Sequence, residues 1–421
     1  MEQNRGIWNM KNGFFSSLPF RLLLGLLIGI GLGLVLESSD QTIVGGAVLN
    51  IVVTAKYILS QFIGFCVPLI IIGFIAPSIT RLGQNASRML RVALVIAYVS
   101  SIGAALFATA AGYTILPHLN INPNVDGLKN VPDVVFALSI PPIMSVMSAL
   151  FFSVMVGLAA AWNNSENVTA ILEEFQKIVL SIVTHFVIPV LPFLIGCTFC
   201  TLSYEGTITR QLPIFLIIIV IVMAGHYIWL TLLYSIAGAY SGKNPMAILK
   251  NYGPAYVTAV GTMSSAATLS VALKCAEKSV PPLRKDMVNF GIPLFANIHL
   301  CGSVLTETFF VMAVSKMLYG VYPEPGQMIL FCLLLGVFAI GAPGVPGGTV
   351  MASLGLITGV LGFDENGTAL MLTIFALQDS FGTACNVTGD GALSLILTGY
   401  AEKHAINEKE TEDAARINAE I

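Results

Sequence analysis

Long apolar runs separated by short polar stretches set the pattern of this chain. A helix needs ~20 apolar residues to cross ~30 Å of hydrocarbon. Runs of that length fall at 17–36, 43–76, 90–116, 142–162, 171–203, 211–241, 287–319 and 366–400. The pattern predicts an all-α polytopic membrane protein with eight transmembrane helices, several long enough to tilt. Residues 117–141, with Pro117, Asn120, Asn122, Pro123 and Asn124, read as an external loop. The polar tail from Glu402 reads as a short solvated helix.

Two stretches do not fit as simple spans. Residues 327–362 carry no charge and are interrupted by Gly341-Ala-Pro-Gly-Val-Pro-Gly-Gly348, whose prolines and glycines end any helix. The limb from Gln327 to Ile340 would be only ~21 Å long, too short to cross. A re-entrant helical hairpin from the outer side accounts for it. Residues 246–278, centred on Gly261-Thr-Met-Ser-Ser-Ala-Ala-Thr268, are bounded by Lys250 and Lys274 and read as a second hairpin, from the inner side. Irregular backbone at membrane depth is tolerated only where protein or a water-filled cavity satisfies it. Paired broken segments mark the midplane site of a transporter.

Composition sharpens the class. The chain has 421 residues, of which 56% are hydrophobic and 10% charged; a soluble domain carries about 25% charged residues. A net charge of −3 and the lack of a long basic tract argue against nucleic acid as a partner. Seven cysteines form no framework, and Cys197 and Cys200 sit in an apolar run, a poor setting for a redox pair. Glu37-Ser-Ser-Asp40 is a poor cleavage site, so the first apolar run reads as a membrane helix rather than a signal peptide. With both termini in the cytoplasm, Lys and Arg concentrate in the inner loops, as at Arg88, Arg91, Lys243, Lys250, Lys278 and Arg284. The compact loops suit a bacterial inner membrane.

The last span holds two acids deep in apolar sequence. At ~100° per residue, Asp379, Thr383, Asn386 and Asp390 fall at roughly 0°, 40°, −20° and 20°, on one narrow face. Carboxylates at this depth cost several kcal/mol and face a cavity, an ion or a substrate. The span at 287–319 adds Asn297, His299, Cys301, Ser303 and Glu307. An intramembrane aspartyl protease needs its two acids on facing helices, whereas Asp379 and Asp390 lie ~16 Å apart along one helix. No H-E-x-x-H motif is present, and no ring of Lys or Arg lines the spans as in an anion channel. An enzyme is therefore not expected.

The order of parts resembles the glutamate-transporter-like family of dicarboxylate/amino acid:cation symporters over nearly the whole chain. The motifs that carry the resemblance are Asn386-Val-Thr-Gly-Asp390, Gly344-Val-Pro-Gly347 and Ser264-Ser265 with Thr268-Leu269. It implies a homotrimer in which a mobile transport domain moves as an elevator against a fixed scaffold. Residues 1–241 would be mainly scaffold, with the spans at 90–116 and 211–241 moving with a transport core at 242–401, followed by a cytoplasmic tail at 402–421. It also implies that Asp379 binds the substrate's α-amino group and Asn386 its α-carboxylate. Thr383 and Ser265 would be polar contacts, Gly341, Val345 and Pro346 parts of the outer gate, and Asp390 the cation-site carboxylate.

The departures set the specificity. Gly382 stands where acidic-substrate members carry an arginine, and Met263 where some place another. Without a guanidinium fork for a second carboxylate, a small neutral amino acid is the expected substrate, with extra room beside Gly382. The family's Asn-Met-Asp-Gly-Thr break aligns with His299-Leu-Cys-Gly-Ser303, and Ala339 and Ala342 replace hydroxyl residues. Sodium, a hard cation, prefers oxygen. Protons are therefore the expected coupling ion, through Glu307 with help from His299 or Asp390. Sodium held by Asp390 and Asn386, or no coupling, is the alternative. No cofactor is expected.

Overall fold

The computed structural model describes residues 18–39, 43–83, 88–119, 121, 131–342 and 347–406. Among the described residues the secondary structure is helical, with no strand. The first six long helices are α1 (Leu18–Ser38), α2 (Ile43–Gly83), α3 (Arg88–Ile115), α4 (Val146–Trp162), α5 (Glu166–Tyr204) and α6 (Thr207–Ser241). A short α7 (Met246–Leu249) leads into a hairpin of α8 (Gly253–Thr262) and α9 (Ser265–Glu277). The next span is split into α10 (Lys285–Ile298) and α11 (Cys301–Tyr319). A second hairpin, α12 (Pro325–Gly341) and α13 (Gly348–Gly359), precedes the last helix, α14 (Glu365–Lys403).

Five described segments are long and apolar enough to cross a membrane: Ile43–Gly73, Arg88–His118, Glu166–Tyr204, Ile214–Ser241 and Lys285–Tyr319. The other three predicted spans are helical as well. They fall short by that measure because α1 is apolar over Leu24–Ser38, α4 has 17 residues, and α14 carries the polar stripe. The outer hairpin forms where Pro and Gly interrupt an apolar run, and the inner one turns at a left-handed residue followed by a capping serine. The inner tip is Met263, at φ 52°, and Ser264, whose side chain accepts from the Ala267 N–H and caps α9. The outer limbs of 17 and 12 residues reach ~25 Å and ~18 Å, too short to cross. Their tip at 343–346, including Val345 and Pro346, lies outside the described residues, as does the tail beyond Ile406.

The helices pack in two groups. α1 runs along the second half of α5, and α2 packs on α4 and α5. Gly25, Gly29 and Gly33 meet the backbone of Pro192, Gly196 and Cys200 so closely that a Cβ would overlap it, the small-residue contact by which helices associate in lipid. In the other group, α14 is surrounded by α6, α8, α10 and α11, while α3 packs on α11 and α12. The groups meet where α13 packs on α2 and α4, and where α14 touches α1 and α5. A cavity of about 360 Å³ opens at this seam, lined by Gln61, Ile63, Leu354, Thr358, Thr368 and Leu372.

Candidate functional site

The polar groups of the last three spans converge on the α10–α11 break. α10 ends at Ile298, and His299 and Leu300 leave the helix before α11 begins at Cys301. The first N–H groups of a helix have no partner within it. Here a side chain from α14 supplies one. Asn386 Oδ1 accepts from the backbone N–H of Gly302 at 2.7 Å and of Ser303 at 3.1 Å, and Asn386 Nδ2 donates to Ser303 Oγ at 2.9 Å. Asn386 thus caps α11, leaving one amide N–H for other work.

About two turns before Asn386 and one turn after it, the stripe makes two further links. Asp379 Oδ2 accepts a 2.6 Å hydrogen bond from the Gly347 N–H, beside the tip of the outer hairpin at the start of α13. Thr383 Oγ1 approaches Asp379 Oδ1 at 3.5 Å. Asp390 Oδ1 lies 2.9 Å from His299 Nδ1, and His299 Nε2 lies 2.9 Å from Ser100 Oγ on α3. The four predicted residues therefore share one face, turned toward α11 and the outer hairpin. They are at most 4% exposed. The apolar flank at Ala376, Ala384, Ala392 and Leu395 is buried too, because α14 is enclosed on all sides.

Glu307 lies two turns into α11 with no exposed surface. Its Oε1 is hydrogen-bonded to Ser353 Oγ on α13, and its Oε2 has no partner. Ser353 Oγ also lies 3.1 Å from the Val350 carbonyl. One hydroxyl proton cannot serve both acceptors. A proton on Glu307, donated to Ser353 while Ser353 donates to Val350, satisfies the whole chain. Ser265 is buried in the first turn of α9, and Gly341 is buried at the end of α12.

Two expectations need correction. The room beside Gly382 is filled. A Cβ there would stand 3.3 Å from Ser303 Cα and 3.4 Å from its backbone N, and one on Gly302 would overlap the Gly382 carbonyl. This glycine lets α14 and α11 approach rather than opening a pocket. Asn297, counted among the polar groups at depth, faces outward and donates to the Pro293 carbonyl in its own helix.

Four partners escaped the sequence reading: Ser100, Gly347, Ser353 and His226. His226 Nε2 lies 2.8 Å from Thr306 Oγ1 and 3.1 Å from the Gly302 carbonyl, joining α6 to α11. A serine or histidine in an apolar helix gives no sign of a partner so distant in sequence.

The profile of the family described as "Sodium:dicarboxylate symporter family" matches residues 18–400, nearly the whole chain. This chain belongs to the sodium:dicarboxylate symporter family. Its members are transporters, not enzymes, and its long apolar helices fit a multi-pass membrane protein. It is 28% identical over 255 residues to excitatory amino acid transporter 2 of Mus musculus, covering 59% of this chain and 43% of that relative. It is 26% identical over 267 residues to an excitatory amino acid transporter of Caenorhabditis elegans, covering 62% and 52%. The chain thus spans about half the length of the curated relatives it matches.

For a sodium:dicarboxylate symporter, the family description implies sodium. Broken helices bind that ion with unwound carbonyls and half-helix ends, and hard cations take several oxygen ligands. The side chains at this break are the His299 imidazole, the Cys301 thiol and the Ser303 hydroxyl, whose oxygen already accepts from Asn386 Nδ2. The Asn386 carbonyl oxygen already accepts two N–H groups, and Asp390 Oδ1 already faces His299 Nδ1. Asp390 Oδ2 is the acidic oxygen left without a partner. This donor set does not fit sodium.

Proposed function

We propose that this chain is a secondary transporter that carries a small neutral amino acid across a membrane, driven by protons through Glu307. One observation supports the substrate class. Among the described residues, Glu307, Asp379, Asp390, His226 and His299 are buried in the core, and no Lys or Arg is buried there. A second carboxylate on the substrate would meet no cation. Asp379 offers an oxygen to an ammonium group while its other oxygen holds Gly347, so amine binding and gate closure share one carboxylate. The free Nδ2–H of Asn386 and the first turn of α9, with Ser265, face the α-carboxylate, as helix N-termini do with anions. Gly341, at the end of α12, belongs to the outer gate.

In this reading α3, α6 and α8–α14 move as one body against α1, α2, α4 and α5, in a homotrimer with cytoplasmic termini in a bacterial inner membrane. Glu307 carries the proton because its second oxygen is buried without a partner, a costly state for an ionised acid in a membrane. The test is counterflow uptake in proteoliposomes with a panel of labelled amino acids, with and without sodium, at two external pH values. Saturable uptake of a neutral amino acid, raised by an inward proton gradient, is expected. Sodium-dependent uptake of an acidic substrate would sink the proposal.

A further inference from the structure

The α10–α11 break is where a symporter with broken helices places its cation, and Asp390 on α14 faces it. In this protein the place is taken by a side chain of the break itself. We propose that the His299 imidazole is a built-in occupant of the cation position at this break, and that the transporter therefore binds no sodium ion there. The inference goes beyond the reading above: it holds for any substrate, and whether or not Glu307 carries the driving proton.

Geometry, space and chemistry each support it. His299 Nδ1 lies 2.9 Å from Asp390 Oδ1 and Nε2 lies 2.9 Å from Ser100 Oγ, so both ring nitrogens are engaged. His299 is wholly buried, Asp390 is 1% exposed and Ser100 6%. The ring also fills the gap between the break and α14. A Cβ on Gly389 would meet His299 Cε1 at 2.9 Å and Cys301 Sγ at 3.2 Å, and the Phe295 ring stands edge-on to the imidazole with centroids 6.4 Å apart. A bound cation would do two things here: satisfy a carboxylate that is costly to bury alone, and tie the break to its neighbours. The imidazole does both, pairing through Nδ1 with Asp390 and joining α14, the break and α3 through one ring. The remaining oxygen, Asp390 Oδ2, is one ligand where a hard cation needs several.

The experiment is a thermal unfolding titration of the purified full chain in nanodiscs, with sodium chloride exchanged for choline chloride at constant ionic strength. A ligand that binds only the folded state raises Tm saturably. Wild type is expected to show no sodium-dependent shift; a saturable rise overturns the inference. His299→Asn combined with Cys301→Asp brings oxygens into the break, and is expected to gain a saturable rise in Tm with sodium. A folded double variant blind to sodium overturns the inference. Cys301→Asp alone, with the Ser100–His299–Asp390 chain intact, is expected to gain none; a gain would show that the thiol, not the imidazole, excludes the ion. Should the double variant fail to fold, wild type and Cys301→Asp still decide. A sodium shift in wild type would leave the Glu307 reading standing, because proton drive is measured separately as uptake under a pH gradient.

Discussion

Asp379 Oδ2 accepts a 2.6 Å hydrogen bond from the backbone N–H of Gly347. The acid expected to bind the substrate amine therefore also holds the tip end of the outer hairpin. Gly347 sits there at φ 72°, a left-handed conformation that glycine adopts without steric cost. In the proposed function, gate and binding site therefore share this one carboxylate.

This joint predicts a split between two substitutions. Asp379→Asn keeps an acceptor for the Gly347 N–H but loses the charge. Losing the charge partner of a buried ammonium costs about 2–5 kcal/mol, a fall in affinity of at least roughly 30-fold. Its Tm should stay near wild type while counterflow uptake collapses. Asp379→Ala also strands the Gly347 N–H, which costs about 1–3 kcal/mol more, so both uptake and Tm should fall. Equal loss of Tm in the two variants would argue against the gate contact.

Gly382 makes a second prediction, against the intuition its position invites. Restoring an arginine there should not create an acidic-amino-acid transporter. The first added carbon already meets the Ser303 backbone at 3.3 Å, and overpacking costs about 1–3 kcal/mol. Gly382→Ala should lower Tm without changing substrate rank, and Gly382→Arg should fail to accumulate or to transport. Uptake of aspartate or glutamate by a well-folded Gly382→Arg variant would show that α11 can yield.

The contrast between Gly382 and the rest of the stripe shows what could be read from the chain. The outer hairpin was legible because clustered Pro and Gly at 341–348 interrupt an apolar run whose limb of ~21 Å cannot cross a bilayer, and the inner one because Lys250 and Lys274 bound a short, less apolar stretch. The stripe was legible because Asp379, Thr383, Asn386 and Asp390 recur at helical spacing. What was not legible is what each side chain meets. Asn386 caps a helix that begins 85 residues earlier, at Cys301. His299 is bonded to Ser100, 199 residues away, and a lone serine in an apolar run carries no trace of such a partner. Gly382 signalled missing charge, but missing volume is filled by whatever packs nearest, here Ser303. Asn297 and His299 are two residues apart, about 200° around a helix, so one faces out and the other in.

Capping by Asn386 gives a third prediction. Asn386→Ala leaves the N–H groups of Gly302 and Ser303 without an acceptor, and should cost about 1–3 kcal/mol. Asn386→Asp, held as the neutral acid that the cost of a buried charge favours, keeps a carbonyl acceptor for both N–H groups, though it loses the amide donor to Ser303 Oγ. The aspartate variant should therefore unfold at a higher temperature than the alanine variant. The reverse order would mean that the amide's donor, not its acceptor, holds the break to α14.

Glu307 carries the last prediction. It joins α11 to α13 through Ser353, so its proton state bears on the outer hairpin. Glutamine has the shape of the protonated acid and can donate to Ser353 Oγ, but it cannot release a proton. Glu307→Gln should keep saturable substrate exchange, in which the loaded carrier shuttles with its site neutral. It should lose net uptake driven by an inward proton gradient, and its exchange should no longer vary with pH over the range in which wild type does. Ser353→Ala leaves Glu307 able to take up and release a proton but removes its hydroxyl partner; it should retain proton-driven uptake with a displaced pH profile. Parallel measurement of exchange and gradient-driven uptake in the same proteoliposomes separates these outcomes. Gradient-driven uptake that survives Glu307→Gln would move the proton to another group of the core and leave Glu307 a structural link between α11 and the outer hairpin.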